Sequence, residues 1–159
     1  HIKEEQHKGT RRAFILGGGR IGLRVARALE QRNFNVRLVE RDQTRCEELS
    51  AKLQKTMIIH AEGTDIRVLL DEGVEHADVF IAATENDETN ILCSLLCKHH
   101  GTQRTLCLVN RPEFLDLAPS LGVDACDRAM KKLGGEKAAG LGRALWLAIG
   151  ASLWLSVAA

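Results

Sequence analysis

The residues best suited to chemistry come early. Gly17-Gly18-Gly19-Arg20-Ile21-Gly22 matches G-x-G-x-x-G. In that pattern the first glycine permits a tight turn, the second lets backbone approach a pyrophosphate, and the third lets a helix pack close to a strand. The free N–H groups of the first helical turn, with the helix dipole, then attract the anion. Glu40 follows Gly22 by eighteen positions, at the end of the next apolar run. A carboxylate there accepts hydrogen bonds from ribose hydroxyls and repels a 2′-phosphate, which favours NAD over NADP. Arg41 beside it partly offsets that repulsion. Arg20 places a cation at a helix start, against the dipole, and so points to an anionic partner. The alternative is a glycine-rich turn in a sheet protein that binds nothing.

Other groups suggest other chemistry. Cys93 and Cys97 lie four apart, followed by His99 and His100. Thiolates and imidazoles suit zinc. Leu92, Leu95 and Leu96 surround those cysteines, and a buried helix face is the simpler account. Cys46 and Cys107 also read as packing. Lys98, His99 and His100 suit a helix C-terminus, where cations are favourable. A nicotinamide-dependent oxidoreductase needs an acid–base group beside the ring. The chain has no Tyr, which excludes the Tyr-Lys type, and His60, His76, His99 and His100 sit in no convincing catalytic context. The reading that stands first is a ligand-sensing regulatory domain. A small NAD-dependent oxidoreductase fragment and a structural assembly module with an unused nucleotide pocket stay open as alternative readings.

Strands and helices must position these residues. Ala13–Leu16 is a strand closed by glycines, and Ile21–Gln31 has a helical period ended by Asn33. Val36–Val39 is a second strand, closed by Glu40. Asp42 caps a helix through Leu53. Met57–His60 is a third strand, and Thr64 and Asp65 cap a helix through Leu70. Asp78–Ala83 is a fourth strand. Asp87–Lys98 is a helix burying Ile91, Leu92, Leu95 and Leu96. Thr105–Val109 is a fifth strand, Pro112 opens a short helix reaching Leu117, and Val123–Cys126 is a sixth, edge strand. This alternation predicts an α/β fold: a doubly wound parallel sheet of five to six strands with helices on both faces. Its ligand crevice lies at the carboxyl ends of the strands.

The chain has 159 residues, 45% apolar and 27% charged, enough for one globular domain. Its net charge of +1 argues against a nucleic-acid binder, and 4% aromatic content argues against single-strand stacking. Five irregularly spaced cysteines point to a reducing compartment. Residues 1–10 read as a linker or a cut N-terminus, and 11–127 as the domain. Residues 128–159 read as a helical, strongly apolar tail. Its run Ala144–Ala159 has 16 residues, roughly 24 Å as a helix, short of the ~20 residues that span a bilayer. Packing on its own domain or on a partner, a membrane anchor, and an unnatural end are the readings open for it.

Three stretches together carry a resemblance: Gly17–Gly22, Arg37-Leu-Val-Glu-Arg-Asp42, and Asp78-Val-Phe-Ile-Ala-Ala-Thr-Glu-Asn-Asp-Glu-Thr-Asn90. Over Arg11–Val123 the chain resembles the RCK (TrkA-N) domain family, which regulates potassium conductance. The third stretch is more specific than the glycine loop. The resemblance implies a Rossmann-like fold that binds NAD or NADH, with ATP or ADP as alternatives. It implies a homodimer or higher homo-oligomer in the cytoplasm, peripheral on the inner face of the membrane. There it would control a membrane-embedded, TrkH-like potassium channel subunit, with no catalysis on the nucleotide. It carries Gly17, Gly18, Gly19, Arg20, Ile21 and Gly22 over as the pyrophosphate cradle, and Glu40 with Arg41 as the ribose end. Glu62 and Gly63 match the adenine-side loop, where the family has Gly-Asp and this chain Ala61-Glu62. Ala83 and Thr84 match the loop over the central phosphate and ribose. Asp87 and Asn90 match positions opening the fourth helix, where capping is at least as good a role as ligand contact. Related potassium-uptake proteins carry two such units, each with a small lobe. This chain holds one, most similar to the second, and its tail does not resemble the lobe.

Overall fold

A computed structural model describes residues 9–128. In chain order its elements are β1 (Arg12–Leu16), α1 (Arg20–Gln31), β2 (Asn35–Glu40), α2 (Gln43–Lys52), β3 (Met57–His60) and α3 (Ile66–Asp71). There follow a 3-10 turn (Val74–His76), β4 (Val79–Ala82), α4 (Asp87–His100), β5 (Arg104–Val109), α5 (Phe114–Leu121) and β6 (Ala125–Arg128). The strands form one sheet in the order β3-β2-β1-β4-β5-β6, every neighbouring pair parallel. The fold is a Rossmann-like doubly wound sheet with helices on both faces. The expectation that 128–159 form a helical tail lies outside the described residues, as does most of the N-terminal linker.

Two apolar clusters sandwich the sheet. One joins Ile15, Leu38, Ile81 and Leu106 to Val25 and Leu29 of α1 and Leu49 of α2. The other joins Phe14, Val39 and Phe80 to Leu69 of α3, Ile91 and Cys97 of α4, and Ala118 of α5. Strands covered on both faces need continuous apolar runs, and β4 is buried at every residue. Glu30 braces one edge by accepting from the N–H groups of Gln54, Lys55 and Thr56 and from the Thr56 hydroxyl. Burial raises its pKa, but those donors outweigh burial and hold it below the ordinary value. After α1, Asn33 takes φ 60, a left-handed conformation that Asn tolerates better than most residues.

Several details depart from the sequence expectation. The sixth strand starts at Ala125, two residues later than the apolar pattern suggests. The fifth helix runs to Leu121 and includes Pro119, while Pro112 lies in the turn before it. On α4 the buried face consists of Asp87, Asn90, Ile91, Cys93, Ser94 and Cys97, and Leu92 is 56% exposed. The polar members of that face have internal partners, so the apolar period misplaced it. No helix of the described residues is long and apolar enough to cross a membrane.

The β1–α1 turn sets the tightest packing. A Cβ on Gly22 would lie 2.0 Å from the Gly17 carbonyl oxygen, whereas one on Gly19 would meet nothing within 4 Å. Gly22→Ala therefore forces backbone apart and is expected to cost about 1–3 kcal/mol or more of unfolding free energy. Gly19→Ala should stay within about 0.5 kcal/mol. Urea denaturation of the two variants checks the contrast.

Candidate functional site

The chain leaves β1 toward β2 on one side, while β4 and β5 extend the sheet on the other. At this switch point the strand ends part and leave a crevice of about 640 Å³. That is within the ~300–1,000 Å³ usual for small-molecule sites. Gly17, Gly18 and Gly19 form one wall, Glu40 to Asp42 and Arg45 a second, Ala61 to Thr64 a third, and Ala83 to Asn86 with Thr89 the fourth.

The first wall is the turn from β1 into α1. Gly17 has φ +104, and its Cβ would lie 2.8 Å from the Ala83 carbonyl oxygen, so only glycine fits there. Gly19 is the N-cap of α1 and has no side chain to occupy the first N–H groups. By contrast, Asp42, Asp65 and Asn86 cap α2, α3 and α4 with their own side chains. The bare helix start thus faces open space, the arrangement that accepts an anion.

Glu40 ends β2 and points its carboxylate back at this turn. One oxygen accepts from Gly18 N–H at 2.8 Å and the other from Asp42 N–H at 2.9 Å. Arg45, on the first turn of α2, donates through Nε to the Gly18 carbonyl at 2.6 Å and through Nη1 to Glu48 at 2.7 Å. The sequence reading did not single out Arg45. Its only signal was a cation one helical turn beyond Asp42, on a helix that starts beside the acid.

The fourth wall is held from behind. Thr84 donates its N–H to Asn90 Oδ1 at 3.1 Å and its hydroxyl to the same oxygen at 2.5 Å. Asn90 Nδ2 donates to the Thr84 carbonyl at 2.9 Å and to the Leu108 carbonyl of β5 at 2.8 Å. Asp87 accepts from the N–H groups of Asn110 and Arg111, just after β5, at 2.8 and 3.0 Å. Neither residue caps its own helix, contrary to the capping expectation. Asn86 does, accepting from Thr89 N–H at 2.7 Å. Asp87 and Asn90 instead tie α4 to the loops that follow β4 and β5.

Of the other expected site residues, Arg41 and Glu62 are exposed on the lining. Gly63 also lines the crevice, and a Cβ on it would strike Leu16 at 1.9 Å. Three fall outside the lining. Arg20 is exposed on the first turn of α1, Ile21 packs against the apolar cluster, and Gly22 is buried against Gly17. Cys93 donates to the Gly63 carbonyl at 3.4 Å and Cys97 is fully buried, so both pack α4 on the sheet. His60 bonds the Arg41 carbonyl at 2.9 Å, at the rim rather than on the lining.

A doubly wound parallel sheet, a glycine turn bare at its helix start, an acid ending the second strand, and a crevice at the switch point define a Rossmann-like domain with an anion-accepting mouth. More narrowly, the chain belongs to the TrkA-N domain family, whose model matches residues 13–126. It is 39% identical over 117 residues to the Trk system potassium uptake protein TrkA of Vibrio alginolyticus, covering 74% of this chain and 25% of that one. The chain thus spans about a quarter of the length of the curated relatives it matches. Among solved structures it is similar to the GsuK channel bound to NAD, with TM-score 0.65 and 21% identity over 86% of this chain and 23% of that one. A GsuK structure bound to ADP gives TM-score 0.65 and 21% identity over 86% and 34%. These structural likenesses establish the fold.

Burial raises the Asp87 pKa, but the Asn110 and Arg111 donors outweigh it and hold the carboxyl below its ordinary value. Its contribution is therefore present above the unfolded pKa of about 3.9 and is lost as pH falls through the lower folded pKa. Asp87→Asn should cost about 1.5–3 kcal/mol at neutral pH and give a shallower acid loss, read from urea midpoints across pH. Asn90→Ala removes the amide that donates to the buried Leu108 carbonyl and should cost about 1–3 kcal/mol in the same assay. It should also speed hydrogen exchange at Thr84 N–H.

Proposed function

We propose that the crevice binds NAD or NADH, with ATP or ADP as the alternative, and that the domain senses this nucleotide to regulate potassium transport. The observation that carries the reading is the glycine turn with a bare helix start, set beside a carboxylate at the end of β2. In this reading the Gly17, Gly18 and Gly19 backbone and the first N–H groups of α1 cradle the pyrophosphate, with Arg20 at the mouth. Ile21 and Gly22 shape the turn by packing. Glu40 meets the adenosine ribose, flanked by Arg41. Glu62 and Gly63 border the adenine, and Ala83 and Thr84 border the second half of a dinucleotide.

The Glu40 oxygens already accept two backbone N–H groups. A carboxylate has about four lone-pair sites, so room remains for ribose hydroxyls. A 2′-phosphate would meet this fixed negative charge, and the mouth favours an unphosphorylated ribose. The titratable side chains on the lining are Glu40, Asp42, Glu62, Glu85, Arg41 and Arg45. The pyrophosphate therefore rests on the backbone N–H groups of the glycine turn rather than on these side chains, and the role is regulatory rather than catalytic. The relatives named for potassium uptake and the likeness to a channel bound to NAD support it.

The domain, residues 11–127, would act as a homodimer or higher homo-oligomer on the cytoplasmic face of the membrane. Its partner is a membrane-embedded, TrkH-like potassium channel subunit. Gating follows if two ligand states contact the assembly differently, because equal contacts shift no population.

The test is calorimetric titration of the chain with NADH, NAD, NADPH, ATP and ADP in turn. Binding of NADH or NAD, with NADPH much weaker, is the expected result. A ligand at 100 times its Kd should also raise stability by about 2.7 kcal/mol in a melting assay. Preference for ATP or ADP keeps the sensor and changes its ligand. Binding of none of the five overturns the reading.

A further inference from the structure

Away from the crevice, two nucleophiles face each other. Cys107 of β5 and Cys126 of β6 are register partners on neighbouring parallel strands. The Cys107 thiol donates to the Cys126 sulfur, 3.5 Å away. Paired strands lie about 4.7–4.9 Å apart, inside the ~4.4–6.8 Å Cα separation that a disulfide spans. Both side chains lie with the same apolar cluster. A bond needs the sulfurs to close to about 2.05 Å.

The pair is asymmetric. Cys107 is fully buried, while Cys126 is partly exposed on the edge strand. The hydrogen bond from Cys107 holds the Cys126 thiol below its ordinary pKa and pushes Cys107 up. Cys126 is thus the accessible, more acidic thiol, and Cys107 the sheltered one behind it. The other cysteines differ. Cys46, Cys93 and Cys97 are buried on helices, and burial pushes Cys93 up to about 11 and Cys97 up to about 12.

We propose that Cys107 and Cys126 form a reversible redox dithiol that reacts with small-molecule disulfides of the glutathione class and closes into a bond between β5 and β6. Cys126 thiolate attacks one sulfur of the small disulfide, breaks its S–S bond and releases one thiol. The mixed disulfide removes the hydrogen bond that held the Cys107 proton. Cys107 then loses its proton and attacks the Cys126 sulfur, releasing the second thiol. The two protein thiols are oxidised, one disulfide is reduced to two thiols, and both protein protons end on the released thiols. The bond pins β6, whose only sheet neighbour among the described residues is β5. In the reduced chain the Cys126 thiol also donates to the Phe114 carbonyl at 3.7 Å, and closing the bond gives up that hydrogen bond to the start of α5. The inference is independent of which nucleotide occupies the crevice.

The experiment incubates the whole chain with excess glutathione disulfide, with a reduced sample as reference. The expected product has lost two hydrogens, keeps three of its five thiols after denaturation, and yields a Cys107–Cys126 linked peptide. Hydrogen exchange across Ala125–Arg128 should slow roughly tenfold. Cys107→Ser should stop at a glutathione adduct on Cys126, and Cys126→Ser should form neither adduct nor bond. Persistence of five thiols in the wild-type chain overturns the proposal. So does a glutathione adduct that never closes, or a bond to Cys46, Cys93 or Cys97. The wild-type product is diagnostic even where a serine variant folds poorly.

Discussion

The Gly18 peptide is held on both edges. Its N–H donates to Glu40 from the end of β2, and its carbonyl accepts from Arg45 on α2. Charge-assisted hydrogen bonds are roughly twice as strong as neutral ones, and these two act on a single residue of the loop. Space is equally restricted, since a Cβ on Gly18 would fall 2.4 Å from Leu49. The glycine turn is thus shaped by β2 and α2 as much as by its own flexibility. Ordering a loop costs about 1–2 kcal/mol per residue. Here that cost is met within the fold, so an incoming anion finds its donors already placed.

The opposite wall uses a different device. Thr84 is exposed enough to line the crevice, but the residue that fixes it, Asn90, is fully buried. All four side-chain hydrogen bonds of Asn90 lead to Thr84 or to the Leu108 carbonyl, and Asp87 one turn earlier fastens the loop after β5. A satisfied buried polar network specifies one geometry, because each broken bond leaves a group that water cannot reach. The α4 face therefore carries polar residues where a plain packing face would carry leucines, and Leu92 turns outward.

Much of this architecture is legible in the chain. Apolar runs mark β1, β2 and β4, the first closed by Gly17 and the second by Glu40, because strands covered on both faces tolerate few polar residues. The Asp42 and Asp65 caps announce α2 and α3 through side chains that satisfy free N–H groups. The edge was harder to read. Val123 is buried yet precedes β6, since tertiary packing can bury a residue outside a strand. Pro119 sits inside α5, where local propensity opposes helix.

The sequence by itself determined the order of elements, the parallel sheet, the glycine turn and the acid beside it. These follow from local periodicity and from steric demands within a few residues. Only the tertiary structure decided that Arg45 clamps Gly18 and that Asp87 and Asn90 serve neighbouring loops rather than their own helix. It also decided that Arg20 stands outside the lining and that Cys107 meets Cys126. The contacts among these join residues 18 to 27 apart in the chain and depend on register between elements. Side-chain partners across such separations are set by how helices settle on a twisted sheet, and no local pattern encodes that placement.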